Sequence, residues 1–101
     1  MIEFPTIDIK STGANILRLR KLNKLSVKDL QMYFGFEGPQ AIYKWQWGQC
    51  LPSVDNLFAL SKLFNVTIEE ILVEAESTKI FLLYVIKDLY LKLIRETKIL
   101  K

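Results

Sequence analysis

The chain has 101 residues, half of them apolar, with 14 Lys/Arg against 11 Asp/Glu for a net charge of +3. That composition fits one domain with a single modest core and argues against a disordered chain. One cysteine, Cys50, and the absence of histidine exclude an internal disulfide, a histidine-based metal site and a nucleophile paired with histidine, and they point to a reducing cytoplasm.

The N-terminal arm, residues 1–11, begins MIEFPTIDIK, which lacks the basic start and apolar run of a secretion signal. Thr12-Gly-Ala-Asn followed by ILRLRKLN predicts a first helix over 13–23, capped by Ser11 or Thr12. Ser26-Val-Lys-Asp29 resembles a capping box and opens a short second helix carrying Leu30 and Phe34, with Gly35 at its exit. Pro39 suits the first turn of a third helix that runs to Trp47 and stops at Gly48. A fourth helix follows Pro52-Ser53 and places Leu57, Leu60 and Phe64 on one face, and Thr67-Ile-Glu-Glu70 is the capping box of a short fifth.

The C-terminal stretch, residues 77–100, reads as an amphipathic sixth helix. Leu82, Ile86, Leu89, Leu93 and Leu100 keep a heptad-like step on one side, with Lys87, Asp88, Lys92 and Arg95 on the other. The longest uninterrupted apolar run, Ile80–Ile86, falls well short of the ~20 residues that cross a bilayer, so no membrane role is expected. Leu17 and Leu22 lie off the inward face of the first helix. The sixth helix is expected to cover such leftover apolar surface, within its own chain or across a twofold axis.

Charge is unevenly spread. Residues 10–52 carry seven Lys/Arg against Asp29 and Glu37, whereas residues 53–78 carry Lys62 against five acids. A basic half beside an acidic half suggests one surface aimed at a polyanion.

On a helical wheel, Gln40, Tyr43, Lys44 and Trp47 fall at i, i+3, i+4 and i+7 of the third helix, with Ala41, Ile42 and Trp45 opposite. Trp45 and Ile42 therefore belong to the core, and Trp47 to the outward face. That face combines an amide, a phenol, an ammonium and an indole, a set suited to base edges and phosphates in a groove of nucleic acid. A merely solvated polar face is the competing reading.

The ordered series Ile16, Leu19, Arg20, Leu25-Ser26, Leu30, Gly35-Phe36, Ile42, Trp45, Gly48, Pro52-Ser53, Leu57, Leu60, Val66-Thr67 and Ile71-Leu72 resembles the lambda-repressor-like, Cro/XRE family of DNA-binding domains. The resemblance implies an all-α, five-helix helix-turn-helix domain over residues 12–74, followed by the sixth helix. It places base-reading positions at Pro39, Gln40, Tyr43 and Lys44. It places phosphate contacts at Ser26, Val27, Lys28, Trp47 and Gly48. An arginine–glutamate pair of the family falls on Arg20 and Gln46, so a hydrogen bond to a neutral acceptor replaces the ion pair. The chain departs from the pattern at Val27 and Gln31, and its turn between helices two and three is one residue longer.

The function expected from these features is sequence-specific binding of double-stranded DNA by a cytoplasmic homodimeric repressor. No enzyme activity or cofactor is expected, because the chain has no histidine, phosphate-binding glycine loop or metal-ligand cluster. Two alternatives compete with it. One is an antitoxin-like regulator whose C-terminal helix binds a partner protein; the other is a protein-interaction module on the same scaffold without DNA binding.

Overall fold

The computed structural model describes residues 4–76 and 78–99, with the side chains of the last helix described from 85 to 96. Six helices follow one another: α1 (Ile9–Leu22), α2 (Val27–Phe34), α3 (Gln40–Gln46), α4 (Val54–Phe64), α5 (Ile68–Ile71) and α6 (Thr78–Ile99). Among the described residues there is no named strand. A lone antiparallel bridge pairs Ile7 with Glu74.

Local chemistry sets most boundaries. Ser26 Oγ accepts the Asp29 amide at 3.0 Å while the Asp29 carboxylate accepts the Ser26 amide at 2.8 Å, so the capping box closes although Asp replaces the usual longer acid. Gly35 exits α2 with φ +70°, the left-handed geometry that costs glycine little. Ser53 caps α4, and Thr67 with Glu70 closes a second capping box at α5.

The first helix departs from expectation. It begins at Ile9, four residues early, because the Asp8 carboxylate accepts the Ser11 amide at 2.9 Å and caps it. Gly13 is thus inside a helix, at a crossing. A Cβ there would collide with the Trp45 carbonyl oxygen and come within 2.9 Å of the Gln46 carbonyl oxygen, so only glycine lets α1 lie this close to α3. Thr12 caps nothing. It is fully buried, and its Oγ1 accepts the Val73 amide at 2.9 Å.

The core gathers Ile16 and Leu19 of α1, Leu30 of α2, Ile42 and Trp45 of α3, Leu57, Leu60 and Phe64 of α4, and Ile71 of α5. Among the described residues, every helix but the sixth contributes. α1 packs on α3 and α5, α2 on α3, and α4 on α5. Around Trp45 the rings of Phe34 and Phe36 meet it edge-on at 5.5 and 5.9 Å and stack on each other at 5.1 Å, which ties α2, its exit and α3 into one aromatic cluster.

Within one chain, the described part of the apolar stripe of α6 is exposed to solvent. Ile86 and Leu89 are 61% and 59% exposed, and Leu93 is exposed as well. Leu22, one of the residues that helix was expected to cover, stays 69% exposed. The side chain of Leu82, and Leu100 as a whole, lie outside the described residues.

Candidate nucleic-acid interface

The candidate site is the outward face of α3, and the buried side of the helix holds it in place. Ile42 is fully buried and Trp45 nearly so. Arg20 of α1 reaches across to the same helix: its Nε donates to Gln46 Oε1 at 2.8 Å and its Nη1 to the Leu25 carbonyl at 2.8 Å. The neutral acceptor expected at Gln46 is thus in use. The guanidinium also fixes the turn between α1 and α2, where Lys24 takes a left-handed φ of +58°.

Facing outward are Gln40, Tyr43, Lys44 and Trp47, all exposed. Trp47, at 63% exposure, does not fold under the loop to Pro52. Its indole stacks on the Tyr43 ring, centroids 5.3 Å apart and planes 23° from parallel. The Gln40 side chain folds back over Gly38, where any Cβ would collide with Gln40 Oε1. Pro39 is the residue preceding α3 and is half-buried. Its ring nitrogen cannot donate a hydrogen bond.

At the start of α2, Ser26 and Lys28 are exposed, whereas Val27 is partly buried against the core. Val27 can therefore meet a phosphate only through its amide. First-turn amides have no intrahelical carbonyl to bond, and the helix dipole favours an anion there. The Asp29 carboxylate at the same end opposes it.

The structure adds two features invisible in the sequence. The Gln31 side-chain amide donates to the carbonyls of Phe36 and Glu37 at 3.4 and 3.2 Å. These bonds tie α2 to the turn that follows it. Gly48, with φ +71°, presses on Lys10: a Cβ would stand 2.7 Å from Lys10 Cα. That close approach sets the first turn of α1, with a cation, beside the C-terminal end of α3. No periodicity in the sequence signals it.

Elsewhere, a groove of about 730 Å³ is lined by Asp8, Ser11, Leu72, Val73, Glu74, Ala75 and Glu76. No residue of α3 borders it, and its acids disfavour a polyanion. Among the described residues, no group of three His, Cys, Asp or Glu side chains could hold a metal ion, and no helix is long and apolar enough to cross a membrane.

Comparison with known proteins agrees with this fold. A helix-turn-helix family matches residues 16–71, more than half of the chain. Among solved structures, the DNA-binding domain of BldD superposes with a TM-score of 0.56 at 19% identity, covering 65% of this chain and 94% of that one, a likeness of fold. No curated protein matches the sequence significantly.

Proposed function

Since the chain belongs to the helix-turn-helix family that spans its residues 16–71, we propose that it is a transcriptional regulator that binds a specific duplex through the major groove. Its family supports a DNA-binding regulatory role rather than an enzymatic one. Repression by occlusion of a promoter, in the cytoplasm, completes the reading.

The observation that carries the proposal is the division of α3 into two faces. One is locked to α1 by Gly13, Trp45 and the Arg20–Gln46 bond; the other presents Gln40, Tyr43, Lys44 and Trp47 to solvent. Gln40 would grip adenine through its amide, a bidentate pair worth ~1–3 kcal/mol of discrimination. Lys44 would meet guanine or phosphate, and Tyr43 and Pro39 would lie along the groove wall. Ser26, the amide of Val27, Lys28, the indole Nε1–H of Trp47 and the backbone at Gly48 would seat the phosphates on either side.

The exposed Ile86 and Leu89 of α6 support a homodimer. Ile86 and Leu89 would meet their counterparts across a twofold axis, which suits a palindromic site with half-sites roughly 34 Å apart. The same stripe would serve a different protein in the antitoxin-like reading.

Selection of bound duplexes from a random pool, with the affinity of the winners measured at 50 and 200 mM salt, tests the proposal. A palindromic winner whose affinity falls by ~10³ over that range is the expected result. No enriched sequence, with weak uniform binding, would replace the reading with a protein-interaction module.

A further inference from the structure

We propose that Tyr43 and Trp47 act as one aromatic ledge that recognises thymine through its C5-methyl group. The inference rests on α3 being the DNA-facing helix and names the base chemistry that its C-terminal half would read.

The two rings stand four residues apart on one face, stacked at 5.3 Å. Each has a single polar atom, the phenolic oxygen or the indole Nε1–H. All the remaining ring surface is apolar, and on Trp47 most of it faces solvent. Because each ring holds the other, docking on a ligand costs the pair little rotamer freedom. Its footing is equally fixed. The Trp47 amide donates to the Tyr43 carbonyl at 2.9 Å, and Gly48 next to it presses on α1 at Lys10.

A rigid apolar ledge needs an apolar counterpart. Base edges in the major groove present donors and acceptors, with one exception: the C5-methyl group of thymine. A phosphate could engage only the phenolic O–H and the Nε1–H and would leave the ring faces unmatched. The ledge extends about 6 Å along the helix axis, the rise of four residues, enough to span neighbouring base pairs. Gln40 and Lys44 on the same face keep the polar reading, so the helix reads hydrogen bonds and a methyl group at separate positions.

The test uses the full chain and the duplex enriched from the random pool, remade with each thymine replaced singly by deoxyuridine. That exchange deletes one methyl group and preserves every base-pairing hydrogen bond. Binding should weaken about three- to tenfold at one or two thymines, the scale of one buried methyl contact. The same exchanges should be nearly silent for Tyr43→Ala/Trp47→Ala, whose parent side chains are exposed and support no core. Full affinity at every deoxyuridine would overturn the ledge, as would an undiminished loss in the double variant. The wild-type comparison needs no altered protein, so it decides the matter even if that variant unfolds. A pool that yields no enriched duplex removes the DNA-reading helix and the ledge together; an enriched duplex indifferent to uracil removes the ledge alone.

Discussion

Arg20 Nε donates to Gln46 Oε1 at 2.8 Å, and this bond joins the first helix to the helix that presents the candidate DNA-reading face. Both side chains are half-buried, and the guanidinium is charged whether or not its partner is. Its desolvation is therefore already incurred. Gln46→Glu should convert the contact to a charge-assisted bond and stabilise the fold by ~1 kcal/mol, read as a higher urea midpoint at unchanged slope. Arg20→Ala should cost ~1–3 kcal/mol, because Gln46 and the Leu25 carbonyl both lose their donor.

Three glycines should rank by what surrounds them. Gly13→Ala drives a methyl group into the Trp45 and Gln46 carbonyls and should cost about 3 kcal/mol or more, since backbone on both sides must yield. Gly48→Ala combines a left-handed φ with the Lys10 backbone and should be comparably severe. Gly35→Ala meets nothing within 4 Å and should cost only the ~1–2 kcal/mol of the left-handed conformation. Equal losses at Gly13 and Gly35 would contradict the close crossing of α1 and α3.

Acid should loosen the helix starts first. Asp29 is held below the usual carboxylate range by the hydrogen bond from the Ser26 amide and then by the Ser26 hydroxyl, and Asp8 likewise by the Ser11 amide and hydroxyl. A carboxyl whose folded value is depressed binds fewer protons folded than unfolded. Its stabilisation is complete above the unfolded value, about 3.9, and is lost as pH falls through the folded one. Urea midpoints measured from pH 6 down to 2 should therefore drop below about pH 4, and Asp8→Asn/Asp29→Asn should flatten that drop.

Two lysines separate positioning from reading. Lys28→Ala should weaken binding about equally on every duplex and lower the salt slope by about one. Lys44→Ala should do the same if it meets phosphate, and should relax the preference at one base pair if it meets guanine. A Lys28 variant with an unchanged salt slope would remove the start of α2 from the interface.

Leu89→Asp tests the tail. The residue is 59% exposed within one chain, so the charge should leave the melting of the domain unchanged and convert a sedimenting dimer to a monomer. A wild-type chain that sediments as a monomer at high micromolar concentration would withdraw the dimer.

Local signals made much of this fold legible. Ser26–Asp29 and Thr67–Glu70 announce their helices because a capping box is confined to four residues, and the wheel over Gln40–Trp47 separated Trp45 from Trp47 because burial follows the helical period. The start of α1 was not legible. Gly13 reads as the first residue of the helix and becomes a necessity inside it only once α3 lies across it. Contacts between distant segments, such as Gly48 on Lys10 or Thr12 under Val73, leave no trace in local spacing. The Gln31 amide was visible only as an oddity, since the carbonyls it satisfies belong to a turn whose path the sequence does not state.

The end of α5 and the residues after it are fastened to the first half of α1 and to the segment just before it. The Asp8 amide donates to the Val73 carbonyl, the Ala75 amide to the Thr6 carbonyl, the Val73 amide to Thr12, and Asn15 Nδ2 to the carbonyls of Glu70 and Ile71. These fastenings make α1 a splint. A displacement of the chain at Glu76 is thereby passed to α1, and from α1 to α3 through Gly13 and the Arg20–Gln46 bond. Mechanically, α3 is moored through α1 to the segment that leads into α6.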